Sequence, residues 1–188
     1  MQLESDYVQE LTLQYDIKKL QQEVDVLELE PYFKELKETE TDSWFAGPET
    51  WLIASVPLQP DSEVNNICEQ LRELLGTNEI EVLTFTQEAN TSVPVHSDKL
   101  PSDILNIGST TKVKPIKCAV NIQLSYPVGP INFSEYGLIT YNCALLNIIK
   151  EHGVPVFPTE RKFIKFKILD ISYKQALLHY RQYKLDNE

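Results

Sequence analysis

The apolar positions of this chain fall at helical spacing near the start and at strand spacing through most of the remainder. Leu11 to Tyr15 alternates and predicts a short strand. Asp16 then stands where a helix N-cap belongs, and Ile17, Leu20, Val24 and Leu27 recur on one helical face. Glu38 to Gly47 is polar and irregular, and it leads into Glu49 to Pro57, an apolar run ended by proline that predicts a buried strand. Asp61 and Ser62 offer caps for a second helix carrying Val64, Ile67, Cys68, Leu71, Leu74 and Leu75 at helical spacing, and Gly76 suits the left-handed residue that closes one.

From Glu79 the period changes to two. Ile80, Val82 and Thr84 alternate with Glu81, Leu83 and Phe85, and strands of this kind are predicted at Ile80 to Thr86, Val93 to His96, Lys117 to Tyr126, Pro130 to Ser134, Leu138 to Ile149, Gly153 to Phe157 and Arg161 to Ser172. Ser172 to Gln175 has the form of a capping box and opens a terminal helix reaching about Lys184. Many short strands with helices only at the ends predict a mostly β fold, a double-stranded β-helix or jelly roll, backed by N-terminal helices and one C-terminal helix. The whole chain, 1–188, reads as a single domain: an N-terminal support over 1–78, a jelly-roll core over 79–172 and the helix 173–188.

Composition narrows the picture. The 188 residues are 42% hydrophobic and 24% charged, as expected for a folded globular chain. A net charge of −11 disfavours a nucleic-acid binder that works by neutralising phosphates. The charge is uneven: residues 1–42 hold four lysines against twelve acids, whereas residues 150–188 hold eight basic and five acidic residues. Candidate chemistry on anionic ligands is therefore expected towards the C-terminal end. No apolar run has the length of a membrane span, and Met1 to Asp6 lacks the basic and apolar regions of a secretory signal, so no membrane partner and a cytoplasmic location are expected. Cys68, Cys118 and Cys143 are scattered, form no CxxC pair and read as buried free thiols.

Only three histidines are present, and His179 falls within the terminal helix, where it reads as a surface or helix-packing residue rather than a ligand. His96 and Asp98 stand two apart at the end of a predicted strand, so both project from the same side and can share one metal ion. With nine aspartates in the chain, an HxD of this kind arises readily by coincidence and carries little weight alone. His152 comes after two or three further strands, enough chain to cross a jelly roll and return as a third ligand. Two imidazoles and one carboxylate on one face of a cation leave positions open for a bidentate cosubstrate and dioxygen, the arrangement of non-haem Fe(II) oxygenases. Arg161, one of three arginines, opens a strongly alternating strand, and its planar fork suits a carboxylate.

Taken together, His96-x-Asp98 and the run from His152 through Arg161 to Asp170 resemble the Fe(II)- and 2-oxoglutarate-dependent oxygenases, nearest to the prolyl hydroxylase and aspartyl/asparaginyl hydroxylase branches. The resemblance covers Val93 to Ile171. It implies His96, Asp98 and His152 as catalytic iron ligands, and Arg161 as the partner of the distal carboxylate of 2-oxoglutarate. It further implies Fe(II), 2-oxoglutarate and O₂ as cofactor and cosubstrates, hydroxylation of a peptide, protein or small-molecule substrate, and release of succinate and CO₂.

The last strand has two unlike faces, Arg161, Phe163, Lys165 and Lys167 on one and Lys162, Ile164, Phe166 and Ile168 on the other. If the apolar face meets the helices, Arg161 looks into the barrel; if it points inward, Lys162 becomes the anchor. Lys165 and Lys167 read either as a solvated basic face or as attraction for an acidic substrate, and Lys112, Lys114 and Lys117 as an exposed loop and edge. Asn121 and Tyr141 lie on strands expected to line the barrel, and Trp44 and Trp51 are core or lid aromatics. Two alternatives stand beside the oxygenase: a non-catalytic β-sandwich interaction module, and a cupin-like metal protein that does not use 2-oxoglutarate.

Overall fold

The computed structural model describes residues 6–31, 51–98 and 115–187. In chain order their elements are β1 (Val8–Glu10), α1 (Ile17–Asp25), β2 (Glu30–Pro31), β3 (Trp51–Ser55), α2 (Glu63–Leu75), β4 (Ile80–Gln87), β5 (Val93–His96) and β6 (Cys118–Gln123), then β7 (Ile131–Phe133), β8 (Gly137–Ile139), β9 (Cys143–Leu146), β10 (His152–Val154), β11 (Arg161–Ile168) and α3 (Tyr173–Asn187). Two antiparallel sheets face each other, one in the order β1-β9-β6-β11-β4-β3-β2 and the other β5-β10-β7-β8. This is the jelly roll expected from the strand pattern. Trp44, Lys112, Lys114 and the irregular stretch 38–47 lie outside the described residues. No helix among the described residues is long and apolar enough to cross a membrane.

The helices form where the caps predict. Asp16 accepts from the amides of Lys18 and Lys19, and Ser62 accepts from the Asn65 amide. Glu23 of α1 adds its carboxylate to the start of α2, accepting from the amides of Glu63 at 2.6 Å and Val64 at 3.0 Å, where orphan donors and the helix dipole favour an anion. Gly76 closes α2 at φ +68°, and a Cβ there would lie 2.8 Å from Nδ1 of His179. His179 is an exposed residue of α3 whose ring lies against Gly76 at the end of α2.

The helices cover the large sheet on one side. Ile164, Phe166 and Ile168 of β11 are fully buried with Val120 and Ile122 of β6, Leu20 and Val24 of α1 and Ile67 and Leu71 of α2. The other face of the sheet meets the small sheet through a second cluster that includes Ala119, Leu146, Ile131 and Phe133. Because side chains alternate along a strand, burying the apolar face of β11 under the helices turns Arg161, Phe163, Lys165 and Lys167 towards the space between the sheets.

Three local expectations need correction. Leu11 to Tyr15 is not a strand; the pairing segment is β1, just upstream, and its ladder ends where the Leu11 amide reaches the Cys143 carbonyl at 3.0 Å. Beyond that point the amides of Gln14 and Asp16 go to the side chains of Gln70 and Glu63, so the segment runs over α2 without a β partner. Leu138 to Ile149 is two strands rather than one, because the chain passes from the small sheet at β8 to the large sheet at β9. Trp51 to Ala54 is half-buried and Ser55 exposed rather than buried, since among the described residues only the two-residue β2 lies outside this strand.

Phe166→Ala is expected to lower the unfolding free energy by about 3–5 kcal/mol through cavity formation, and Ser62→Ala by about 1 kcal/mol through loss of a cap. Urea denaturation with unchanged slope checks both, and a Phe166→Ala cost below that of Ser62→Ala would contradict this packing.

Candidate metal centre

The site is built on a strand pair. His96 at the end of β5 and His152 at the start of β10 are direct partners in the antiparallel ladder, so their side chains emerge together. Their ring centroids lie 4.5 Å apart. Asp98 stands two residues after His96, its amide fixed on the Ile148 carbonyl at 2.9 Å. Asp98 Oδ1 is 3.3 Å from His96 Nε2 and 3.9 Å from His152 Nε2, and one ligand atom from each of the three residues lies within 4.8 Å of the others. Atoms that each stand about 2.0–2.2 Å from one cation are at most about 4.4 Å apart, so the Asp98 contacts have the spacing a single ion requires.

The protonation states suit a metal. His152 is 5% exposed, and burial pushes its pKa down to about 4, against the opposing pull of the Asp98 carboxylate. Its Nδ1 lies 2.8 Å from the Lys150 carbonyl, a contact only an N–H can make favourably, so Nδ1 donates and the Nε2 lone pair faces Asp98. Burial alone would raise the pKa of Asp98, yet the Lys165 ammonium, the hydrogen bond from His96 and the charge of His152 together hold it well below the usual carboxylate range.

Arg161 occupies the same cavity and is 2% exposed. Its Nη1 donates to the Pro130 carbonyl at 3.2 Å, while Nε has no hydrogen-bond partner among the described residues. Gly129 leaves room for its stem: a Cβ there would lie 2.7 Å from Arg161 Cδ. Lys162 is on the other side of the strand, paired with Asp25 of α1, and does not face the cavity. The guanidinium points into the cavity and the Lys162 ammonium towards α1.

Asn121 and Tyr141 line the cavity as well, Asn121 Nδ2 donating to the Tyr141 hydroxyl at 3.1 Å. Burial pushes the Tyr141 phenol up despite the nearby Arg161. Asn121 Oδ1, in the same cavity, is buried with no hydrogen-bond partner among the described residues. An unsatisfied amide oxygen and an unsatisfied guanidinium N–H lining one cavity suit a polar ligand. The donor set and the cavity fit an Fe(II) ion with a carboxylate cosubstrate.

Other candidate residues stand away from this centre. Lys167 is 3.7 Å from Glu81, and Lys117 is exposed. The three cysteines are buried and free, with burial pushing the thiols of Cys68 to about 11 and of Cys118 and Cys143 to about 12. Sequence reasoning did not find Gly129 or the part Lys165 plays. Lys165 reaches Asp98 Oδ2 at 2.7 Å, and its spacing of four from Arg161 on one strand face was the available signal.

No family model matches the sequence, and no curated protein does either. Solved structures do. A Pseudomonas putida prolyl-4-hydroxylase superposes with a TM-score of 0.55 at 13% identity, covering 86% of this chain and 90% of its own. A 2OG-Fe(II) oxygenase-family oxidoreductase from Burkholderia pseudomallei gives 0.54 at 13% identity, covering 88% and 86%. These likenesses show a shared fold. At this identity the likeness speaks for the fold, and the site must be argued from its own residues.

The depressed pKa of His152 gives the metal-free protein a pH dependence with a definite sign. The unfolded chain takes up this proton near pH 6.5 and the folded chain only near 4, so stability is full above 6.5 and falls as pH drops towards 4, by up to about 3 kcal/mol. The Asp98 contribution is lost only at lower pH, below the unfolded carboxylate value. Chelator-treated protein should therefore lose denaturation midpoint between pH 6.5 and 4, and His152→Gln should flatten that part of the profile. An unchanged slope in His152→Gln would show that the imidazole titrates normally.

Proposed function

We propose that this protein is an Fe(II)- and 2-oxoglutarate-dependent dioxygenase that hydroxylates its substrate and releases succinate and CO₂. One observation carries the reading: His96, Asp98 and His152 converge in a cavity that also holds a buried guanidinium with an unsatisfied N–H. Either feature alone has a bland explanation, and their coincidence in one cavity does not.

Iron held there would supply the activation of O₂ coupled to oxidative decarboxylation of the cosubstrate. The work of the chain itself is binding, orientation and exclusion of water. His96 Nε2, His152 Nε2 and one oxygen of Asp98 would hold the ion on one face and leave the other face open. Arg161 would take the distal carboxylate of 2-oxoglutarate, assisted by the amide of Asn121 and the hydroxyl of Tyr141, so that the unsatisfied guanidinium N–H gains a ligand partner. The stacked rings of Phe85 and Phe163, with centroids 5.0 Å apart, wall the cavity on the sheet side and keep water from that contact.

The favoured substrate is a Pro, Asp or Asn residue of a peptide or protein, supported by the prolyl-4-hydroxylase among the fold relatives. A non-catalytic module needs no metal, and a cupin-like metal protein needs no dicarboxylate, so binding measurements separate all three.

Calorimetry under anaerobic conditions should give one Mn(II) per chain, lost in His96→Ala. Arg161→Ala should keep Mn(II) and weaken 2-oxoglutarate by roughly 2–4 kcal/mol, about 30- to 700-fold. Gly129→Ala should act in the same direction by displacing the Arg161 stem. No metal uptake by the native chain would leave the interaction module; metal uptake with 2-oxoglutarate binding indifferent to Arg161→Ala would leave the cupin-like reading.

A further inference from the structure

Asp98 differs from the two histidines in how it is held. His96 and His152 belong to paired strands, whereas Asp98 lies two residues past the end of β5 and its side chain is free of any ladder. A carboxylate in that position rotates about its last bond and can offer a cation one oxygen or two. Something must choose between them if the site is to keep open positions for a chelating cosubstrate.

The group that meets Asp98 most closely among the contacts described is Lys165. Its Nζ is 2.7 Å from Oδ2, while Oδ1 is 3.3 Å and 3.9 Å from the two imidazole nitrogens. Both side chains are well covered, 14% and 15% exposed, so this is not a solvated surface pair. Lys165 itself is fixed at both ends. Its backbone sits between Leu83 of β4 and Asn121 of β6 in ladders on both sides, and its ammonium lies 5.8 Å from the centroid of the Phe85 ring, which is stacked on Phe163.

We infer that Lys165 is a positioning residue for the metal: its ammonium holds the outer oxygen of Asp98, so that the inner oxygen alone faces the imidazoles. This rests on the Fe(II) reading of the site. The arrangement divides the carboxylate between two cations, the ammonium on Oδ2 and the metal on Oδ1, and keeps the aspartate a one-oxygen ligand. Outer contacts of this kind orient a ligand before the ion arrives and are commonly worth about 10- to 100-fold in metal affinity. A lysine placed here has an opposing effect as well, since a positive charge near the site repels a dication. Orientation and repulsion predict opposite outcomes on removal, and that makes the inference decidable.

The test is Mn(II) affinity without cosubstrate, measured by electron paramagnetic resonance, with Asp98→Ala as the control. Lys165→Met is expected to bind Mn(II) about 10- to 100-fold more weakly than the native chain, and Lys165→Gln, which keeps an N–H donor without the charge, is expected to fall between them. The visible absorption of the Co(II) form should also differ between native protein and Lys165→Met, because the released carboxylate can chelate with both oxygens. Lys165→Met affinity equal to or tighter than native, with binding lost in Asp98→Ala, overturns the inference and leaves the Fe(II) reading intact. A native chain that takes up no Mn(II) overturns both. Should Lys165→Met not fold, Lys165→Gln against native decides in the same way: weaker supports the inference, equal or tighter overturns it.

Discussion

The parity of β11 is the constraint on which the site depends. Ile164, Phe166 and Ile168 are each fully buried under the helices, and residues of that kind each contribute about 1.5–3 kcal/mol by leaving water. With those three positions pinned, the intervening residues have no choice of direction. Arg161 and Lys165 are carried into the space between the sheets even though burying a guanidinium and an ammonium there is costly. A slip of one residue would exchange the two sets and expose the apolar face.

That cost is met by specific partners. The guanidinium rests against Gly129, donates to the Pro130 carbonyl and lies 5.9 Å from the Phe163 ring centroid; the ammonium pairs with Asp98 and lies over Phe85. The site is thus a row of alternating cations and rings along one strand, facing two imidazoles delivered by a single strand pair in the opposite sheet. Within that row the ammonium is balanced by Asp98, whereas the guanidinium keeps an N–H with no hydrogen-bond partner among the described residues.

Much of this was legible in the sequence where local rules act alone. The caps Asp16 and Ser62, the left-handed Gly76, the capping box at Ser172 and the two faces of β11 depend on nearest neighbours, and the structure has them where the pattern placed them. The triad was legible as an ordered set of residue types, though its geometry required the β5 and β10 pairing. What the sequence hid depends on distant partners. Leu11 to Tyr15 alternates like a strand, yet its end and the Asp16 amide beyond it meet Gln70 and Glu63 of α2. Leu138 to Ile149 reads as one run because nothing local marks the passage between sheets. Lys165 reads either as a solvated lysine or as attraction for an acidic substrate until Asp98, sixty-seven residues earlier, is brought against it.

The most direct test of the metal centre is anomalous diffraction from crystals of the Mn(II)-soaked protein. A single strong peak is expected about 2.0–2.2 Å from His96 Nε2, from His152 Nε2 and from one oxygen of Asp98. Mn(II) bound elsewhere, or a structure in which the two imidazoles point away from a common centre, would contradict the centre described.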